Sequence, residues 1–277
     1  MQVNTCNVCI ITGFEKKINA FRNILKLPLY QCLQVDSCNT AEYNIDIRKS
    51  SLRKYPVIGG KMKIQYLGHS CFRLISDLGT AVICDPYNGE MVGFDMPKLS
   101  CDLVTISHSH ADHAAVDEVK GNPPVLEKEV ALAADDVAVE SLHTFHDDKK
   151  GKQRGDNYVF CFLVDGLKIV HLGDVGCLDE KLAAKIHGCD VLLLPIGGIF
   201  TVDAHGAKWY VDKVQPKIVI PMHYKTAEHS FNIGTLDEFL KLFPSEQVTF
   251  VKSETLTLVD EPQNSAPQIT VLERYED

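Results

Sequence analysis

A chain of 277 residues, 45% hydrophobic and 23% charged, has the make-up of a folded globular protein with one large domain or two small ones. Its net charge of −9 argues against the basic surface that nucleic-acid backbones require. No apolar run reaches the roughly 18 residues of a membrane-spanning helix, so the expected partner is a small molecule, with neither nucleic acid nor membrane.

The opening "MQVNTCNVCIITGF" lacks the basic start and long apolar centre of a secretory leader, which makes the cytoplasm the expected compartment. Residues 1–61 carry 9 Lys+Arg against 4 Asp+Glu, a net of +5, whereas residues 62–277 carry 19 against 33, a net of −14. Composition therefore changes near Gly59-Gly60. Cys6-x-x-Cys9 with Cys32 and Cys38 makes a poor zinc site, because the second pair is spaced too widely and no histidine supports it. Residues 1–61 read as an N-terminal extension of unassigned role, with Met62 a candidate natural start, and residues 62–277 as the folded domain. The other cysteines sit in apolar runs such as "AVIC" and "VFCFLV", as reduced core thiols do.

From Met62 onward, "MKIQYLG", "CFRLIS" and "TAVICDP" read as strands separated by turns, one of them at Asp77-Leu78-Gly79. "CDLVTIS" is a buried strand running into "HSHADH", and "ADHAAVDEV" is expected to begin a short helix. "NYVFCFLV" and "LKIVHLG" flank Asp165-Gly166, a hairpin signal. Helix and strand then alternate: "LDEKLAAKIHG" with "DVLLLPIGG", "DAHGAKWYVDKV" with "KIVIPMH", and "TLDEFLKLF" with "VTFVKS". Antiparallel strands followed by helix–strand pairs point to an α/β fold of two stacked sheets with helices outside, an αββα sandwich.

"HSHADH" carries the chemistry. His108 and His110 alternate with a serine, so an extended loop sends both to one side, and Asp112 and His113 follow from the next turn. Four candidate ligands in six residues at a strand end suit metal ions. Further candidates close later apolar runs: His146 in "SLHTFHDD", Asp174 in "IVHLGDVG" and His223 in "IVIPMHY".

This series, with "LGHSCFRL", "HLGDVG" and "IPMHY", resembles the metallo-β-lactamase-fold hydrolases, in particular the small single-domain branch that includes ascorbate-6-phosphate lactonase-like proteins. The resemblance covers residues 62 to about 260. It implies that His108, His110 and His146 hold one divalent ion and Asp112, His113 and His223 a second, with Asp174 bridging. Zinc is the expected metal; manganese, nickel and iron accept the same ligands. Two such ions would acidify a shared water and polarise the carbonyl or phosphoryl oxygen under attack. Asp112, Asp174 and His223 would then stand closest to the reaction, on a small ester, lactone or phosphoester.

His143 competes with His146. His146 is preferred because the resembling proteins set this ligand just before an acidic residue and a glycine-containing loop, here "HDDKKGKQRG". Asp85 in "ICDP" is expected to accept a hydrogen bond from a ligand histidine and fix its tautomer. His69 in "LGHS" is read as a substrate contact or a structural histidine, and His171 as a core residue. Lys150, Lys152 and Arg154 of "KGKQRGDN" form either a solvated loop or a flap whose cations, Arg154 foremost, meet an anionic substrate. "PIGGIF" is expected to line the pocket, with His205 a substrate contact or an exposed helix-start residue. An iron redox enzyme, a nuclease and a noncatalytic metal-binding module are the competing readings. The first lacks a visible flavin partner, the second a basic surface, and the third does not explain a complete ligand set.

Overall fold

The computed structural model describes residues 61–133, 136–259, 262–263 and 266–276. Expectations about residues 1–60, the N-terminal cysteines among them, lie outside the described residues. In chain order the first strands are β1 (Met62–Gly68), β2 (Cys71–Ile75), β3 (Ala81–Cys84), β4 (Leu103–Ile106), β5 (Val125–Glu127), β6 (Ala131–Ala133) and β7 (Val137–Phe145). They are followed by β8 (Asp156–Val164), β9 (Leu167–His171), β10 (Val191–Pro195), β11 (Ile218–Met222), β12 (Val248–Val251), β13 (Thr255–Leu258) and β14 (Gln268–Leu272). The helices among the described residues are α1 (Gly89–Val92), α2 (Glu180–Ile186), α3 (Ala204–Val214) and α4 (Leu236–Leu240).

One sheet has the order β13-β1-β2-β3-β4-β5 and the other β12-β14-β11-β10-β9-β8-β7-β6. The hairpin at Asp165-Gly166 joins β8 to β9 as the turn signal predicts, with Val164 opposite Leu167. The antiparallel opening holds for β1 to β3, and β4 and β5 then join in parallel.

Alternation divides the core into layers. On β10, Leu192 and Leu194 join the cluster formed with Leu182 and Ile186 of α2, Tyr210 and Val214 of α3, and Phe239 of α4. On β2, Phe72 turns the other way, and its ring lies 6.1 Å from that of His171 on the opposite sheet. His171 is buried and donates from Nε2 to the Ser70 carbonyl at 2.8 Å, so it ties the sheets together as a core histidine. Outside the first sheet, Val92 of α1, Tyr87, Met96 and Val119 cover Ile83 and Val104. The result is helix, sheet, sheet, helix.

Helix α3 shows why these segments coil. Asp203 caps it by accepting from Gly206 N at 2.8 Å, and its buried residues Ala207, Tyr210, Val211 and Val214 recur at helical spacing. The helix expected in "ADHAAVDEV" is not formed. The segment makes turns and one 3-10 turn at Val116–Glu118, because Ala115 N bonds to the Pro86 carbonyl at 2.8 Å and not to a carbonyl of its own segment. The six cysteines among the described residues are free thiols. No described helix is long and apolar enough to cross a membrane.

Candidate metal centre

Six strands deliver the site. His69 follows β1, Asp85 follows β3, His108 and His110 follow β4, His146 follows β7, Asp174 follows β9 and His223 follows β11. Strands β1, β3 and β4 run in one direction within their sheet, as do β7, β9 and β11 in theirs. The carboxyl ends therefore share an edge in each sheet, the side of an α/β sheet where ligands bind. A hydrogen bond from His223 N to the His69 carbonyl at 2.9 Å joins the two edges.

Three of these strand ends are sharply turned. His69, Asp85 and His223 have φ of 53°, 48° and 52°, a left-handed conformation that costs a non-glycine residue about 1–2 kcal/mol. Gly197 makes room for one of them, since a Cβ there would collide with the His223 carbonyl oxygen. The first glycine of "PIGGIF" thus serves close approach to the site.

The candidate ligand atoms form two main groups. His108, His110 and His146 make one, and Asp112, His113 and His223, with His69 beside them, make the other; within each, all ligand atoms lie within 4.8 Å of one another. Asp174 stands between the groups. Its Oδ1 is 3.3 Å from His113 Nε2, and its Oδ2 is 3.2 Å from His223 Nε2 and 3.6 Å from His146 Nε2. His108 Nε2, His113 Nε2, both nitrogens of His223 and Asp174 Oδ1 are all buried without a hydrogen-bond partner. Leaving one such group unsatisfied costs roughly 1–3 kcal/mol, and a cation is the partner that imidazole lone pairs and a carboxylate share. The residues therefore fit metal ions.

A buried support orients the ligands. Asp85 accepts from His113 Nδ1 at 2.8 Å, from Ser107 N at 2.8 Å and from Ser107 Oγ at 2.5 Å. Ser107 Oγ in turn lies 2.9 Å from His108 Nδ1, and with its proton given to Asp85 it accepts there. Both rings then carry hydrogen on Nδ1 and turn Nε2 inward, the nitrogen that a cation would take. Asp85 thus holds one histidine of each group, one more than expected from the sequence. Asn157 holds Asp174: its Oδ1 accepts from Asp174 N and its Nδ2 donates to the Leu172 carbonyl, both at 2.9 Å.

Protonation follows from this packing. Burial pushes His108 down to about 2 and His69 to about 3, and also lowers His146. Burial opposes ionisation of Asp174, but His113 and His223 overcome it and hold the carboxyl well below its usual range. Asp112 is likewise held low against burial, chiefly by the hydrogen bond from His69. His113 is driven up against burial by Asp174, Asp85 and Asp112, so a cation binding there displaces a proton.

The structure separates the other expected residues. His143 lies within β7 on its exposed face, where Nε2 meets Asp156 Oδ1 at 2.8 Å, away from the cluster that His146 joins. Arg154 stacks its guanidinium 5.5 Å from the centre of the Phe200 ring. Its loop is fixed by Asp147, which accepts from the backbone N–H groups of Lys149, Gly151, Gln153 and Arg154. For His69 and His205, each open to two readings, the contacts favour the structural histidine and the exposed helix-start residue. His69 is buried with Nδ1 engaged by His229 and Nε2 by Asp112, leaving neither ring nitrogen to a substrate. His205 is exposed on the first turn of α3 and lines a separate cleft with Cys177, Leu178 and Trp209 that includes none of the candidate metal ligands. Sequence reading passed over Ser107, Asn157, His229 and Phe231, whose sole signal was proximity to a motif or none at all.

Two facing sheets with candidate His/Asp metal ligands at their adjoining edges are the metallo-β-lactamase architecture. Residues 63–223 match the family model of the beta-lactamase superfamily domain, and the chain belongs to that superfamily. Among curated proteins it is similar to UPF0173 metal-dependent hydrolases. The protein of Natranaerobius thermophilus is 32% identical over 189 residues, 60% of this chain and 84% of its own length. That of Carboxydothermus hydrogenoformans is 30% identical over 194 residues, 60% and 85% respectively. A solved Thermotoga maritima structure, described as a candidate zinc-dependent hydrolase of the metallo-β-lactamase superfamily, superimposes with a TM-score of 0.63 at 35% identity, covering 76% of this chain and 100% of that one. An isothiocyanate hydrolase from Delia radicum gut bacteria shares the fold, with a TM-score of 0.56 at 12% identity over 73% of this chain and 100% of its own. This chain is a metal-dependent hydrolase of the superfamily.

Proposed function

We propose that this hydrolase works with two divalent ions, one held by His108, His110 and His146 and the other by Asp112, His113 and His223, with Asp174 shared. The observation that carries this is Asp174, a buried carboxylate facing His113 and His223 of one group and His146 of the other at 3.2–3.6 Å. When bound, such ions supply Lewis acidity, acidifying water and polarising a carbonyl or phosphoryl oxygen. Zinc suits this nitrogen and oxygen donor set, as the description of the Thermotoga maritima relative also suggests; manganese, nickel and iron are accepted by the same ligands.

The chain's own groups do the rest. Asp112 and Asp174 stay ionised and balance part of the positive charge, and Asp85 holds His113 and His108 in the tautomers that ligation needs. Arg154, on its Asp147-braced loop, offers a cation beside the Phe200 ring. The substrate class this favours is a small ester, lactone or phosphoester with an anionic group for Arg154. Zinc- or manganese-reconstituted protein should hydrolyse members of a panel of lactones, carboxyl esters and phosphodiesters, and His110→Ala and Asp174→Asn should abolish that turnover. Turnover surviving both substitutions would refute the reading.

A further inference from the structure

His229 belongs to neither ligand group, yet it is buried against the site. Its ring centre lies 5.0 Å from that of His69, 5.2 Å from Phe231 and 5.9 Å from Phe94. Its place is held from both sides. His229 N donates to the Thr226 carbonyl at 3.3 Å, Lys225 Nζ donates to the His229 carbonyl, and the Arg274 guanidinium lies over the Phe94 ring, 4.3 Å from its centre.

The hydrogen bonds of this ring have a direction. His229 Nδ1 accepts the backbone N–H of Phe231 at 3.2 Å, and a neutral imidazole accepting at Nδ1 carries its hydrogen on Nε2. That Nε2 lies 2.9 Å from His69 Nδ1 and donates to it. His69 Nδ1 is thereby the acceptor, so the hydrogen of His69 sits on Nε2, 3.3 Å from Asp112 Oδ2. The chain runs one way, from Phe231 N–H through His229 and His69 to Asp112. A ring nitrogen that accepts a hydrogen bond carries no proton, so both rings are neutral in this arrangement.

We infer that His229 is a positioning residue that sets the tautomer of His69, making His69 a hydrogen-bond donor to Asp112 and keeping it out of the ligand set. His69 lies within ligand reach of Asp112, His113 and His223, so without this constraint its Nε2 lone pair would compete for the ion. With a hydrogen there, Nε2 cannot ligate, and the carboxylate it bonds is oriented. The coordination of the Asp112 side is then decided by a residue 160 positions along the chain from His69. The metal consequence rests on the proposal that Asp112 is a ligand; the tautomer does not.

The test is nitrogen NMR of the His69 ring in the full-length zinc-loaded protein, with zinc affinity measured alongside by chelator competition. Wild type should show hydrogen on Nε2 of His69. His229→Phe removes the donor, and should shift His69 toward the Nδ1–H form and weaken zinc binding on the Asp112 side by about tenfold, the lower end of effects for groups that support ligands. His229→Gln presents an amide N–H and should restore both. Hydrogen on Nδ1 of His69 in wild type would overturn the inference, even if His229→Phe failed to fold. An unchanged tautomer and affinity in a folded His229→Phe would overturn it equally. Failure of the ligand reading looks different: zinc content would be unmoved by Asp112→Asn while the His69 tautomer still followed His229.

Discussion

Asp85→Asn tests the support of both ligand groups in one substitution. The carboxylate is fully buried and accepts from His113 Nδ1, Ser107 N and Ser107 Oγ. An asparagine of the same shape keeps one acceptor oxygen and presents an NH₂ where an acceptor stood. If the oxygen stays on Ser107, the NH₂ faces His113 Nδ1–H, donor against donor. His113 relieves this by moving its hydrogen to Nε2, which places that hydrogen where a metal would bind. Two charge-assisted hydrogen bonds are weakened, and at roughly 1.5–3 kcal/mol for a bond to a charged group, a loss of about 2–4 kcal/mol in folding stability follows. Metal affinity should fall 10- to 100-fold, or about 1.4–2.8 kcal/mol, in both groups, because His108 depends on Asp85 through Ser107. Competition with a chromophoric chelator reads the affinities, and urea unfolding of the metal-stripped protein reads stability. Wild-type affinity in a folded variant would refute this account of Asp85.

His110 is exposed, so His110→Ala should leave unfolding by urea nearly unchanged while lowering the metal content per chain; His143→Ala, which disturbs a surface pair with Asp156 and ring contacts with Phe145 and Tyr158, should leave metal content intact. A fall in metal content with His143→Ala would exchange the roles of His143 and His146. Gly173 has φ of 55°, and a Cβ there would meet Asn157 Oδ1 and the Ser107 side chain. Gly173→Ala should therefore cost about 2–5 kcal/mol in a urea melt, and a loss below 1 kcal/mol would contradict the packing around Asp174. Metal-stripped protein should lose stability as pH falls below 6.5, the ordinary histidine value. Below it the unfolded chain takes up protons that His229, lowered to about 4, His69, lowered to about 3, and His108, lowered to about 2, refuse in the native state. His113, shifted upward, is protonated in both states there and adds no slope. His229→Gln should flatten the fall between pH 6.5 and 4, and an unaltered profile would show that the buried ring is not neutral.

The candidate ligands were legible as a group because their signal is local: an apolar run specifies a strand, and a histidine or aspartate just beyond it stands at the strand's carboxyl end. Strands running the same way then bring His146, Asp174 and His223 to one edge of the second sheet, as β4 brings His108 to the adjoining edge of the first. The Asp165-Gly166 hairpin and the capped α3 were readable for the same reason. What was hidden depends on contacts between distant segments. His229 sits in "KTAEHSFN", with no apolar run before it, and is defined by a bond to His69 across 160 residues. Ser107 reads as a spacer between histidine-motif residues until Asp85 is seen beneath it. The helix expected after His113 fails through a long-range competitor, the Pro86 carbonyl that captures Ala115 N. Which of its two readings His205 takes was not legible, because a helix start near "PIGGIF" does not reveal which cleft it faces. The choice between a substrate contact and a structural role for His69 was equally hidden, because both of its ring partners lie far away in sequence.

The most direct test of the two-ion account is an anomalous-scattering crystal structure of zinc-loaded protein, with metal content measured by elemental analysis on the same sample. The account predicts two ions per chain, one among His108, His110 and His146 and one among Asp112, His113 and His223, both touching Asp174. A single ion, or a second one bound away from Asp174, would contradict it.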